Sequence, residues 1–457
     1  MGALYTAAQK FLHLFPEEPD IQVNTRGYRT SMGGDVTAEL LGVGYIIGPR
    51  VAAVMLAGGA IGWLVIIPMI YVFGESSGAP IAPETVSLVR DMGSFDIWDR
   101  YLRYIGAGAV AFGGLFTLVK SAPTLLQSFK LALGALKQGG AEAPARTDRE
   151  LPLWMVGGAL VVIGLLAAFL PLMAGTGGNI GLLAGLAVVV FAFFFVTVSS
   201  RIVGLIGSSS NPISGMTIAT VLICALLFGG MYDGGSARVA VLTIGALVCI
   251  AAAIAGDTSQ DLKTGFLVGA TPRNQQIGEI IGVVAAALAM STVLALFKEQ
   301  IVSGEFKAPQ ANLIKLVIDG VLDGDLPWAL VFIGAAIAFC VEIMGLPTLA
   351  FAVGLYLPVH LATPIMLGGL VRWGVERFSD KDEVDHRREV GVLVASGLIA
   401  GAALIGVVGA TLAFFEVELL PEPESMSLAN LRGILAFLGL TGVLIWAALG
   451  RPGNKVH

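Results

Sequence analysis

The feature that most limits this chain is a series of long apolar blocks without a charged residue. Val51–Phe73 is one, and Pro152–Ser199 is another. Amphipathic helices of soluble proteins carry a polar face, and these blocks have none. About 20 apolar residues in a row span the ~30 Å hydrocarbon core of a bilayer. Lipid offers no water to backbone N–H and C=O groups, so a spanning segment is a helix or part of a closed barrel. Barrel strands alternate apolar and polar residues over about ten positions. The runs here are continuous, so the expected fold is all-α, a polytopic transmembrane helical bundle. Only 13% of residues are charged, half of the ~25% usual in soluble domains. The 60 glycines would be costly in soluble helices but allow close helix approach in lipid.

Roughly twelve spans are predicted, near 51–73, 101–119, 153–174, 181–199, 214–230, 238–255, 277–297, 327–344, 346–359, 361–376, 389–415 and 430–449. Leu40–Ile47, before Gly48-Pro49-Arg50, is too short to cross alone and is expected as half of a broken helix or a re-entrant piece. Residues 1–36 are expected outside the main bundle, 37–450 as the transmembrane domain, and 451–457 as a cytoplasmic tail. Threading the spans alternately places the Lys/Arg-rich segments 120–152, 372–388 and 451–457 on one side, which the positive-inside rule makes cytoplasmic. The bacterial inner membrane is the expected location. Segment 303–326 is expected as an external amphipathic piece. Trp98, Trp154, Trp328 and Trp446 fall at span ends, where indole rings favour the interface. Cys224, Cys249 and Cys340 lie in apolar blocks and are expected as small buried hydrophobes. No cleavable signal peptide is read at Met1–Gln9.

Chemistry is sought where polar groups meet the membrane, because ionisable residues there are costly. Glu342 stands beside the Gly345-Leu346-Pro347 break. It fits a coupling acid that is protonated in one transport state and ionised in the other, and equally an interfacial glutamate at a helix end. Glu279, in the first turn of its span, suits the helix dipole without a further role. Arg201 could hold a carboxylate or simply anchor its span. The stretch 207–217 is dense in hydroxyls and interrupted by Pro212 and Gly215. Unwound backbone at membrane depth is tolerated where it is buried in protein or lines a cavity, and transporters place sites at such breaks. An ordinary loop is the competing reading. The segment 345–360 is a second Pro-interrupted piece, with Tyr356 and His360 as hydrogen-bonding groups. His360 alone is read as a satisfied or interfacial histidine. Asp261 and Lys263 are gate-pair candidates within a polar cluster between spans, whose competing reading is a solvated cytoplasmic loop.

Lys263-Thr264 lacks the glycine that a phosphate loop places before its lysine. No His/Cys set has zinc spacing. No cofactor and no nucleic-acid partner is expected. Asp257 and Asp261, four apart, could hold Mg²⁺ in a membrane enzyme acting on prenyl or lipid substrates. The second acidic motif such an enzyme needs has only Asp380–Asp385 as a candidate, and that stretch reads as a solvated loop.

Four stretches resemble the oligopeptide transporter family in its bacterial branch: Leu41–Arg50, Ser200–Thr217, Asp261–Gln276 and Met344–Pro358. The resemblance covers about Leu40 to Gly450. It implies a secondary transporter, proton-coupled, whose substrates are oligopeptides or metal chelates of peptide-like molecules, on a many-helix fold with internal pseudosymmetry. Family members are usually longer and begin with further membrane helices, so the chain resembles the C-terminal two-thirds of a typical member. Missing N-terminal helices, a homo-oligomer, and an inactive fragment or assembly partner of a larger transporter are accordingly entertained. The expectation is a symporter with Asn211, Ser214, Thr217 and Tyr356 as substrate contacts. Glu342 is its coupling acid, and Asp261, Lys263 and Arg201 are its gating groups. The lipid bilayer, a small peptide or chelate, and protons are its partners.

Overall fold

The computed structural model describes residues 1–25, 27–137, 146–173, 178–206, 213–232, 234–303, 309–322, 327–415 and 426–450. The chain opens with α1 (Gly2–Lys10) and an antiparallel hairpin of β1 (Asp20–Thr25) and β2 (Tyr28–Gly33). In the hairpin Asp20 faces Gly33 and Thr25 faces Tyr28. Then come α2 (Ala38–Ile47), α3 (Pro49–Ala60), a π-helical turn at Ile61–Ile66 and α4 (Ile67–Gly74). They are followed by α5 (Ser94–Ile97), a second π turn at Trp98–Leu102 and α6 (Arg103–Lys137). The sequence continues as α7 (Leu153–Met173), α8 (Gly178–Ile206), α9 (Ile213–Gly229), α10 (Gly234–Val268), α11 (Pro272–Leu296), α12 (Lys298–Ser303) and α13 (Pro309–Leu322). It ends with α14 (Trp328–Ile343), α15 (Thr348–Tyr356), α16 (Val359–Phe378), α17 (Val384–Phe414) and α18 (Met426–Leu449).

The protein is thus a helical membrane bundle. Each span expected from hydropathy coincides with a helix. Among the described residues, six helices are long and apolar enough to cross a membrane, with shorter apolar helices beside them. Along α11 no residue is buried, and its Ile280, Ile281, Val284 and Leu288 are exposed, a surface suited to acyl chains rather than water. Several expectations change in detail. Segment 346–359 is helical only over the nine residues of α15, which at ~1.5 Å per residue reach about half of the hydrocarbon core. The polar segment from Lys120 is helical through Lys137. Asp257, Asp261 and Lys263 lie on the last turns of α10 and not in a loop. Cys224 is buried as expected, but Cys249 is half-buried and Cys340 exposed.

The helices form two compact units: Met1–Val110 with Ala295–Lys307 and Pro327–His457, and Ala111–Leu294 with Ala308–Leu326. In the second unit α8 packs on α7 and α10, with Gly181 and Gly185 meeting the backbone of Ala168 and Gly164. Phe195, Phe228, Ile244 and Cys224 fill its core. The Ser199 hydroxyl donates to Ala252 O at 2.5 Å, and Arg238 pairs with Asp319 at 2.9 Å, joining α10 to α13.

The first unit is built on two interrupted helices. α2 and α3 are separated by Gly48, with φ +84°, and Pro49 sits at the start of α3. α15 and α16 are separated by Leu357 and Pro358, after which the chain re-enters helix. Proline has no N–H to continue the ladder and clashes with the preceding turn, so each break is written into the sequence. The two broken helices lie antiparallel. A Cβ on Gly44 would stand 1.9 Å from Ile365 O, and one on Gly354 would stand 1.9 Å from Met55 O. Likewise a Cβ on Gly58 would meet Phe351 O at 2.2 Å, and one on Gly368 would meet Leu41 O at 2.1 Å. Gly44 and Gly354, Gly58 and Gly368, and Trp63 and Trp373 recur at one constant spacing along the chain. The carbonyls they meet are related by that same spacing. This is an inverted pair of broken helices, the arrangement around which many transporters build a site.

The loop between α4 and α5 is held by Glu84. Its Oε1 accepts the backbone N–H groups of Thr85 (2.9 Å), Val86 (2.7 Å) and Ser87 (3.3 Å), and its Oε2 pairs with Arg100 Nε at 3.2 Å. Bonds from Val86 and Ser87 foremost hold the Glu84 carboxyl below the usual carboxylate range. A depressed folded-state value stabilises the fold above the unfolded pKa, ~4.3, and the contribution is lost as pH falls through the folded value. Glu84→Gln should therefore lower thermal stability at neutral pH and flatten the acid limb of the melting temperature measured from pH 7 to pH 3. An unchanged acid limb would show that other carboxylates set it.

Candidate functional site

The short helix α15 is tied at both ends by polar side chains. At its start, α14 ends on Gly345, whose φ is +71°. Gly345 N donates to Glu342 O at 2.9 Å and Leu346 N to Val341 O at 3.3 Å, the paired bonds of a Schellman C-cap. Pro347 then starts the next helix. Across this turn the Thr348 hydroxyl donates to Glu342 Oε2 at 2.5 Å. Glu342 is half-buried and Thr348 buried.

At the other end Tyr356 is buried in the last turn before the Pro358 break. Trp98 Nε1 donates to Tyr356 O at 3.0 Å, and the Arg103 guanidinium hydrogen-bonds the Tyr356 phenol. Arg103 also pairs with Asp99 one turn earlier and lies 5.7 Å from the Trp98 ring. Its Nε is buried and has no hydrogen-bond partner among the described residues. The Asp99–Arg103 pair straddles a π turn, a distortion that recurs at functional sites. A cation held by a carboxylate, a phenol and an indole, with one buried donor unused, is equipped to take an anionic group of a solute.

Of the expected site residues, Glu342 and Tyr356 are thus brought to opposite ends of one nine-residue helix. Thr217 is buried in α9 and spends its hydroxyl on Ile213 O at 3.0 Å. Ser214 lies in the first turn of α9 and Arg201 near the end of α8, but their side chains lie outside the described residues, as does all of Asn211. Asp261 is exposed and accepts Gln275 Nε2 on its carbonyl (2.9 Å) and its carboxylate (3.0 Å). Lys263 is exposed two positions further along the same helix, a spacing at which helical side chains do not face each other. Trp98, Asp99 and Arg103 were not among the expected site residues. Trp98 reads from sequence as an interfacial anchor, yet its indole is a tether to α15. An Asp and an Arg one turn apart was the available signal.

The profile of the family described as OPT oligopeptide transporter protein matches residues 6–413. A Haemophilus influenzae protein whose name places it among oligopeptide transporters is 28% identical, over 95% of this chain and 76% of its own. The Arabidopsis thaliana protein named Probable metal-nicotianamine transporter YSL8 is 24% identical over 82% of this chain and 56% of its own. The Oryza sativa subsp. japonica protein named Probable metal-nicotianamine transporter YSL10 is 23% identical over 82% and 58%. The chain thus spans a little over half the length of these two plant relatives. All of these names are transporters' names, and the reading as a Mg²⁺-dependent enzyme is set aside with them. Both interrupted helices of the first unit and the tethers of α15 fall within the matched residues: the chain belongs to the OPT oligopeptide transporter family, and is a transporter and not an enzyme.

Proposed function

We propose that this transporter carries a small peptide-like solute bearing a carboxylate, free or as a metal chelate, by proton-coupled symport across the bacterial inner membrane. The observation that carries the reading is α15, a helix too short to cross, tethered at one end by an acid and at the other by an arginine. Arg103, with Tyr356 beside it, receives the solute's carboxylate. Glu342 takes up the coupling proton. Ionised, it holds Thr348 through a charge-assisted bond. Protonated, it loses that charge, the bond weakens by roughly half, and the start of α15 is released from the end of α14. Proton uptake at one end of the helix and solute capture at the other are then linked through one rigid element. The peptide names of the bacterial relative and the chelate names of the plant relatives both denote solutes with carboxylates. Ser214 and Thr217, with Asn211, remain the second unit's candidate substrate contacts, and Arg201, Asp261 and Lys263 its candidate gating groups. The positive-inside pattern supports a cytoplasmic C-terminus.

The deciding experiment is uptake of a labelled tripeptide and of a labelled metal chelate into proteoliposomes under an imposed pH gradient. The gradient should stimulate uptake by the unaltered protein. In Glu342→Gln that stimulation should vanish, while exchange of solute without a gradient persists. Gradient-stimulated uptake by Glu342→Gln would remove Glu342 from the coupling role. Absence of stimulation in the unaltered protein would remove proton coupling altogether.

A further inference from the structure

Apart from the tethers of α15, the first unit gathers three metal-ligating side chains from distant stretches of sequence. Glu18, Asp35 and His360 each bring a ligand atom within 4.8 Å of the others. Asp35 and His360 are buried and Glu18 is exposed at the edge. The main chain fixes the three stretches. Asp35 N donates to His360 O at 3.0 Å, Val36 N to Glu17 O at 2.9 Å, and Gly34 N to Pro19 O at 3.3 Å. The imidazole is clamped as well, with its centroid 6.1 Å from the Trp63 ring and 5.3 Å from the Phe95 ring, while these two rings meet edge to face at 4.9 Å. The Thr30 hydroxyl donates to Trp63 O at 2.7 Å, so β2 is fastened to the same wall. Sequence reading leaves His360 a lone histidine; the fold surrounds it with two carboxylates.

We propose that Glu18, Asp35 and His360 bind a divalent first-row transition cation of the Zn²⁺, Co²⁺, Fe²⁺ and Mn²⁺ class, which joins the N-terminal arm to the start of α16. One imidazole nitrogen and two carboxylate oxygens suit these ions. Ca²⁺ takes six to eight oxygens, and Mg²⁺ an octahedral set of oxygens at ~2.0–2.1 Å, so both are poorly served by a histidine. Metal–ligand bonds of ~2.0–2.2 Å require the three atoms, which lie within 4.8 Å of one another, to draw closer around the ion. Three protein ligands leave the solvent side at Glu18 for water. The ion would be resident on side chains of this protein, unlike a metal carried inside a chelate. The site therefore stands whether or not the transport reading holds. Its consequence is mechanical: His360 follows the Pro358 break by two residues, so occupancy links the arm to the interrupted helix.

The rival arrangement is a histidinium held between two carboxylates, which would bind no cation. The two are separated by stripping the full chain in detergent with a chelator and titrating Co²⁺, following its visible absorption and the bound metal per chain. One Co²⁺ per chain is expected, displaced by Zn²⁺, with X-ray absorption showing one imidazole in its shell. Glu18→Gln, at the exposed edge, should fold normally and weaken Co²⁺ binding about tenfold or more, since even outer-shell changes cost 10–100-fold. His360→Gln and Asp35→Asn should weaken it further. No stoichiometric Co²⁺ binding by the unaltered protein overturns the site. So does unchanged affinity in Glu18→Gln, whatever the buried variants do.

Discussion

Replacing Gly354 with leucine should abolish the folded first unit. The side chain would begin 1.9 Å from Met55 O, a main-chain atom that no rotamer change can move. α3 and α15 would have to separate along the contact that holds the two broken helices together. Overpacking a core usually costs 1–3 kcal/mol. Here a helix backbone is what must yield, so a loss of roughly 3 kcal/mol or more is expected. Gly44→Leu should cost about as much, because its Cβ would meet Ile365 O at the same 1.9 Å. Gly397→Leu in α17 has nothing within 4 Å of its Cβ and should be neutral or slightly stabilising, since leucine favours helix over glycine. Thermal melting and size-exclusion profiles in detergent measure all three. A Gly354→Leu protein that elutes and melts like Gly397→Leu would contradict the close approach of the two helices.

Arg103→Met should nearly eliminate uptake of solutes with a free carboxylate. Where a bound solute buries its carboxylate against the guanidinium, removing the cation costs about 2–5 kcal/mol, so a fall of about 100-fold in uptake efficiency is expected. Arg103→Lys should recover only part of it, because an ammonium cannot offer a planar fork to carboxylate and phenol together. The informative comparison is a peptide against its C-terminal amide. If Arg103 receives the carboxylate, the amide should be carried poorly by the unaltered protein and little affected by Arg103→Met. Equal losses for acid and amide would make Arg103 a positioning residue that holds Tyr356 and Asp99, with no contact to solute.

Much of this architecture is legible in the amino-acid sequence, for a simple reason. Lipid demands long uncharged helices, and proline breaks them where it stands. The spans, the Gly48-Pro49 interruption and the 345–360 interruption follow from those two facts alone. Other features depend on which helices meet. The antiparallel match of α2–α3 with α15–α16 is written only as glycines and tryptophans recurring at a constant spacing across the chain. Trp98 and Arg103 resemble the interfacial residues found at almost any span end, and only the fold directs them to Tyr356. Glu18 and Asp35 sit in a polar arm with no apolar periodicity, so nothing local connects them to His360. The polar stretch from Asp257 leaves gate pair and solvated loop both open in sequence, because its charges end the apolar run, but the backbone of α10 continues helical past them.

The reciprocity of the two broken helices bears on where the pair can be asymmetric. Each glycine-to-carbonyl contact made by one helix is returned by its mate, so the main-chain contacts by themselves favour neither helix of the pair. Whatever bias exists must come from side chains that break the equivalence. Arg50 and His360 stand at matching positions, the first exposed and the second buried beside two carboxylates. The asymmetry of the pair therefore rests on such side chains, because the main chain repeats itself.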